Sequence, residues 1–206
     1  MANSLISIII MTKNEKELGF GSSLHSYAKL IIFSNTFFLI AALIFYNGHF
    51  NFWLDPFSNL GDAVNNVISA RIFTAEMVIN GLIFAYLARN YLSQNRTTFN
   101  RFNTILCIIA CAGFFIGGFS PDDTMHTGHV VGMALAVASL WLWLNSILLE
   151  RRGNFTKRRF KLLEFFLEAP ILLYASAYFL QIDPASYAFQ KGTLFSLALV
   201  LYSATK

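Results

Sequence analysis

Two histidines that lie three residues apart, close to two aspartates, form the group in this sequence with the most chemical potential. Asp122 and Asp123 precede His126 and His129 in a short stretch between two apolar runs. Because residues i and i+3 share a face of a helix, both imidazoles can lie beside the carboxylates. Imidazole nitrogens and carboxylate oxygens are ligands of Zn²⁺ and related ions. The group nevertheless lacks a third histidine and the H-E-x-x-H context typical of zinc hydrolases.

Helix capping offers a second interpretation of the same residues. A carboxylate just before a helix accepts hydrogen bonds from its free N–H groups, so Asp122 or Asp123 can serve as the cap. Aspartate, proline and glycine also favour the tight turns that a short connection needs. A third interpretation is a site for a non-metal ligand or a lipid headgroup. The sequence leaves these three interpretations open.

Two charged residues lie within an apolar run, where they are costly unless they face a bundle interior or a hydrated cavity. Arg71 either pairs with a nearby aspartate or holds the phosphate or carboxylate of a lipid headgroup, which suits its planar guanidinium. Glu76 either hydrogen-bonds to Asn80 or a neighbouring helix, or belongs to a proton or ion pathway. The candidates for contact with a ligand or headgroup are Ser58, Asp62, Arg71, Glu76 and Ser120.

Six apolar runs must position these residues. The chain is 56% hydrophobic and 13% charged, which lies outside the range of soluble domains. Each run approaches the ~20 residues that cross ~30 Å of hydrocarbon as a helix. We therefore predict an all-α, polytopic membrane bundle in which 28–206 form one six-helix transmembrane domain and 1–27 a cytoplasmic segment. The runs are 28–46, 66–88, 103–119, 128–149, 162–181 and 187–204.

The distribution of positive charge predicts the orientation of this bundle. Thirteen of the fifteen Lys and Arg residues fall on one side of the six predicted spans, six of them within 151–161. Loops rich in Lys and Arg remain cytoplasmic, so we expect both termini inside a plasma membrane, such as a bacterial inner membrane. Because topology explains the basic residues, no nucleic-acid partner is expected, whereas membrane lipids are. The apolar residues 1–11 lack a basic start and a cleavage site, so no signal peptide is expected.

Small residues predict where two of the helices approach closely. Gly113 and Gly117 lie four apart in the third run, and Gly128, Gly132 and Ala136 repeat this spacing in the fourth. Such stripes allow helix backbones to come together in a membrane, so we expect the third and fourth helices to pack tightly. In the fifth run, Glu164 and Glu168 are expected to pair with the basic residues of 151–161.

Several short motifs together resemble a known family. Segment 58–61 reads SNLG, segment 73–81 runs from Phe to Asn-Gly, and segment 118–122 reads GFSPD ahead of His129. This pattern resembles the prokaryotic six-helix membrane family known as domain of unknown function 998, which is grouped with the eukaryotic Frag/DRAM/Sfk-type membrane proteins. The likeness covers residues 28–204.

The resemblance implies six helices and a polar outer face, but no settled activity. Some eukaryotic relatives are associated with lipid-anchor remodelling or lipid-dependent signalling, which implies a role that faces lipid. Two departures concern the outer site itself. Ser120 interrupts the family's Phe-Pro step, and His126 adds a second imidazole.

Three functions follow from these observations. The first is a non-enzymatic membrane protein that binds or senses lipid, or acts as a scaffold, through a polar site at the outer face. The alternative is a membrane-embedded, metal-dependent lipid hydrolase in which His126 and His129, with an outer aspartate, hold Zn²⁺ and activate water. The second alternative is a transporter with Arg71 and Glu76 along its path. No catalytic residue, oligomeric state or required cofactor is assigned.

Overall fold

The computed structural model describes residues 24–94 and 97–206. Within these ranges the chain forms six α-helices and no strand, which confirms the all-α prediction. Most of the predicted N-terminal segment 1–27 lies outside the described residues. The helices are α1 (Leu24–Ile44), α2 (Val67–Ser93), α3 (Thr98–Phe119), α4 (His126–Glu150), α5 (Lys157–Phe179) and α6 (Ala185–Thr205). Two short 3₁₀ helices, Phe57–Gly61 and Arg152–Asn154, lie in the connections.

Five of the helices, α1 to α5, are long and apolar enough to cross a membrane. The exposed side of α1 carries large apolar side chains such as Phe33, Phe37 and Ile44, as expected of a helix in contact with lipid. Helix α6 has 21 residues, but Lys191 and several other polar residues reduce its apolar character. The chain is therefore a helical, membrane-embedded protein with five helices suited to cross a membrane, and a sixth span remains a prediction.

Contacts between helix ends define the two ends of the bundle. The Nδ1 atom of His25, at the start of α1, lies 3.2 Å from Oγ1 of Thr205, at the end of α6. Nη1 of Arg151, just after α4, donates to the carbonyl of Thr205 at 2.9 Å. This end, which carries the basic residues of 151–161 and Lys206, is called the basic end. The opposite end, called the acidic end, carries Asp55, Asp62, Asp122 and Asp123.

The closest packing in the bundle lies between α3 and α4, as the small-residue pattern predicted. A Cβ atom added to Gly132 would lie 2.3 Å from the backbone nitrogen of Gly117. A Cβ atom on Gly113 would lie 2.5 Å from the nitrogen of Ala136. Only glycine permits backbones to approach this closely. The contact packs the last two turns of α3 against the first three turns of α4, beside the predicted site residues.

The predicted pairing of Glu168 with the basic residues is wrong. Its Oε1 atom accepts hydrogen bonds from Nε1 of Trp141 at 3.1 Å and from Nδ2 of Asn145 at 2.9 Å. Glu164 is exposed, and no salt bridge joins it to a basic side chain in the part of the chain that the structure describes. Glu168 therefore satisfies polar groups of α4, and the basic residues of 151–161 keep their charge free of these carboxylates.

Candidate functional site

His129 fastens the start of α4 to the end of α3. Its side chain is buried, and Nδ1 lies 3.1 Å from the carbonyl of Gly117 and 3.0 Å from that of Ser120. The last carbonyls of a helix have no partner within the helix, so the imidazole supplies the missing donor. Because both partners are acceptors, the ring carries a proton on Nδ1. His129 therefore acts first as a cap for α3.

His126 has a different environment, although it is only three residues away. Its side chain is 70% exposed, and Nδ1 lies 2.6 Å from Oδ1 of Asp122, which is itself 25% exposed. This is a solvated pair within one turn, and such pairs contribute little to stability. Thus the two imidazoles lie in separate environments, one buried against α3 and the other open to the aqueous phase.

The four residues of the predicted metal site each have partners of their own. Asp122 pairs with His126, His129 bonds to backbone carbonyls, and Oδ2 of Asp123 accepts from the backbone nitrogen of Val64 at 2.9 Å. Among the described residues, no three His, Cys, Asp or Glu side chains converge as a set that could hold a metal ion. Zinc at Asp122, Asp123, His126 and His129 stays a prediction that this geometry does not favour.

Aspartates join the two connections at the acidic end. The backbone nitrogen of Val64 donates to Oδ1 of Asp62 at 3.0 Å and to Oδ2 of Asp123 at 2.9 Å. Asp62 also accepts from the backbone and side-chain nitrogens of Asn65, at 2.9 and 2.8 Å. Partial burial acts to raise the pKa of Asp62, but these hydrogen bonds outweigh it and hold the pKa below its ordinary value. Asp62 therefore contributes a negative charge to the acidic end.

The two serine candidates lie in structural positions at the same end. Ser58 is half-buried in the 3₁₀ helix Phe57–Gly61, which is held to α2 by a 2.8 Å hydrogen bond from Ser69 to the carbonyl of Leu60. Ser120 is buried at the end of α3, where its carbonyl accepts from His129. The structure thus joins Ser120 with His129, while no hydrogen bond links Ser58 to the other candidates within residues 24–94 and 97–206.

Arg71 and Glu76 lie on different sides of α2. Arg71 is exposed, whereas Glu76 is buried inside the bundle. Five residues of α-helix correspond to a rotation of about 140° from one face to the other. Asn80 exchanges hydrogen bonds of 3.1 and 3.2 Å with Asn35 of α1 rather than with Glu76. A single path lined by Arg71 and Glu76, as the transporter hypothesis requires, is not supported by this geometry.

Lys191 is the residue of this end that the sequence did not single out as a candidate. Its side chain is 1% exposed, and Nζ donates to the carbonyls of Asp55 at 2.6 Å and Tyr187 at 3.2 Å. The rings of Phe57 and Phe52 lie 5.0 and 5.5 Å from the ammonium. The sequence signal that could have identified Lys191 is its isolation. It is a lone lysine at the acidic end, near a connection rich in aromatic residues.

Comparison with known proteins identifies no relative of this chain. The resemblance to the six-helix family therefore stays a prediction, and function must be argued from the site itself. No family model matches the chain, and no curated protein or solved structure shows significant similarity to it.

Proposed function

We propose that this multi-pass integral membrane protein binds phospholipid headgroups at its acidic end, where Arg71 contacts the phosphate. The observation that carries the proposal is the placement of Arg71. Its guanidinium is exposed, and no salt bridge joins it to a carboxylate in the part of the chain that the structure describes. An arginine within an apolar helix requires an anionic partner, and in this position the partner is supplied by the membrane.

The surroundings of Arg71 support a position at the boundary between acyl chains and headgroups. Val67 and Ile68, one turn earlier on the same face of α2, are 48% and 57% exposed. Arg71 lies about 6 Å along the axis from the first residue of the helix. A long cationic side chain at this depth rests its stem on apolar surface and directs its charge toward the interface. At this depth, two oxygens of a lipid phosphate can accept hydrogen bonds from the guanidinium in a bidentate arrangement.

The carboxylates at this end favour one class of phospholipid. Asp62 and Asp123 are held by backbone nitrogens in the connection before α2, and Asp123 is exposed. A fixed negative charge repels acidic headgroups and attracts an ammonium. We therefore propose a zwitterionic headgroup, such as phosphatidylethanolamine, with its phosphate on Arg71 and its amine toward the aspartates.

Replacing Arg71 with alanine is expected to lower the retention of phosphatidylethanolamine by about tenfold, since a charge-assisted hydrogen bond contributes about 1.5–3 kcal/mol. Native mass spectrometry of the purified protein in detergent, titrated with this lipid, measures the change. Arg89→Ala is the matched control, because Arg89 is exposed at the opposite end of the same helix. Equal loss in both variants would refute a headgroup site at Arg71.

We further propose that α6 is the sixth span and that the basic end faces the cytoplasm. The support is the concentration of Lys and Arg in 151–161 at one end of the bundle, because such charge resists translocation. A membrane-impermeant thiol reagent should label a Gly153→Cys variant in lysed cells but not in intact cells. Gly153 is suited to this label because open space surrounds it. Labelling in intact cells would reverse the proposed orientation.

A further inference from the structure

A polar cavity of about 340 Å³ opens at the basic end, where α4 ends, α5 begins and α6 ends. Its size lies at the lower limit of the range for small-molecule sites, and it lies at the opposite end of the bundle from Arg71. Its lining combines three cations with an amide and an aromatic ring, and no carboxylate lines it among the described residues. The lining residues are Arg151, Asn154, Phe155, Arg159, Ala204 and Lys206.

Two of the cations are held in place by the fold itself. Nη1 of Arg151 donates to the carbonyls of Ala204 at 3.1 Å and Thr205 at 2.9 Å, the unpaired carbonyls at the end of α6. The guanidinium of Arg159 lies 5.2 Å from the centre of the Phe155 ring. Because these side chains are already ordered, a ligand that binds them loses less free energy to immobilisation.

Glu168, an acidic partner that the sequence predicted for these cations, does not pair with them. The carboxylate of Glu168 instead accepts hydrogen bonds from Trp141 and Asn145 of α4. The first turn of α5 adds the positive end of a helix dipole, with Thr156 as its cap. Three cations around one cavity, with the positive end of a helix dipole beside them, favour the binding of an anion.

We propose that this cavity binds the phosphate group of an acidic phospholipid headgroup. The guanidinium groups of Arg151 and Arg159 match phosphate oxygens in geometry, and the side chains of Asn154 and Lys206 supply further donors. The cavity lies at an end of a membrane-spanning bundle, which is where headgroups are found. Free phosphate offers the same contact group, so the test must separate the two sources. The proposal does not depend on the site at Arg71.

The test compares two double variants that remove the same charge. The variant Arg159→Gln/Lys206→Gln removes two cations that line the cavity. The control variant Arg158→Gln/Lys161→Gln removes two exposed cations that lie outside the cavity. Retention of phosphatidylglycerol, against phosphatidylcholine as the neutral lipid, is measured by native mass spectrometry of the full chain. We expect the cavity variant to lose about tenfold more affinity for phosphatidylglycerol than the control, because a site in the cavity depends on Arg159 and Lys206. Non-specific attraction to surface charge would instead depend equally on all four cations.

Each outcome decides for or against the proposal. Equal losses in the two variants would show diffuse surface attraction and overturn the site. Inorganic phosphate alone is also titrated against each protein. If the two variants differ about tenfold in affinity for phosphate but not for phosphatidylglycerol, the ligand is soluble phosphate and the lipid assignment fails. Thermal unfolding checks that both double variants fold. Arg151→Lys, which keeps a cation beside the α6 carbonyls, should retain part of the affinity and provides a second measurement if either double variant is unstable.

Discussion

Replacing Gly132 with alanine is expected to destabilise the protein by about 3 kcal/mol, because a single methyl group forces α3 and α4 apart. The added Cβ would lie 2.3 Å from the nitrogen of Gly117, 2.7 Å from its Cα and 2.9 Å from the carbonyl oxygen of Gly113. All three atoms belong to the backbone, so no side-chain rotation relieves the contact. Unfolding in mixed detergent micelles, followed by circular dichroism, measures the loss.

Gly192 provides the matched control for this substitution. It lies inside α6, and no atom is within 4 Å of the position that a Cβ would occupy. Gly192→Ala should therefore stabilise the protein by about 0.5–1 kcal/mol, through the better helix propensity of alanine. If Gly132→Ala proved as harmless as Gly192→Ala, the close crossing of α3 and α4 would be refuted. The placement of His129 against the end of α3 would then lose its support as well.

Helices α3 and α5 begin several residues before the apolar runs that indicate them. The third apolar run covers 103–119 and the fifth covers 162–181, but α3 begins at Thr98 and α5 at Lys157. The hydroxyls of Thr97 and Thr156 accept from backbone nitrogens three residues later, which begins both helices within polar sequence. Hydropathy detects only the part of a helix that lies in hydrocarbon, so polar first turns escape it, whereas capping residues indicate the true start.

The sequence could indicate candidate site residues but not their structural partners. The spacing of His126 and His129 gives the angle between them on α4, but it does not give the direction of α3 from that helix. Because α3 lies on one side, His129 is buried against it, whereas His126 remains exposed with Asp122. His126 and His129, which the sequence predicts on one helix face, therefore lie in two separate environments. Tertiary contacts decide this outcome, and no local pattern contains them.

Arg71 and Lys191, the two basic residues that do not follow the predicted one-sided distribution of positive charge, show the same limit. Arg71 is exposed beside apolar residues of α2, whereas Lys191 is buried under the connection between α1 and α2. Both appear in the sequence as isolated cations near the starts of apolar runs. Their difference arises because Phe52 and Phe57 fold over α6 and enclose the ammonium of Lys191. This long-range packing of a loop onto the last helix leaves no periodic signal.

Replacing Lys191 with alanine is expected to destabilise the acidic end by about 2–4 kcal/mol. The substitution removes a charged donor from the carbonyls of Asp55 and Tyr187 and leaves a cavity between two aromatic rings. The loss should appear first as faster amide hydrogen exchange in residues 50–61, because the ammonium is a main link between this connection and α6. Unfolding in mixed micelles measures the total, and hydrogen exchange locates it.

Two further variants separate the hydrogen bonds from the packing at Lys191. Lys191→Met fills most of the volume without a donor, so it should lose about 1–3 kcal/mol through the unpaired carbonyl of Asp55. Lys29→Ala, at an exposed lysine of α1, should change stability by less than about 0.5 kcal/mol. If Lys191→Met were as stable as the native protein, the ammonium would be dispensable and apolar packing alone would hold the connection to α6. If instead the methionine and alanine variants were equally unstable, the two hydrogen bonds would account for the whole effect, and the aromatic enclosure would serve to exclude water from them.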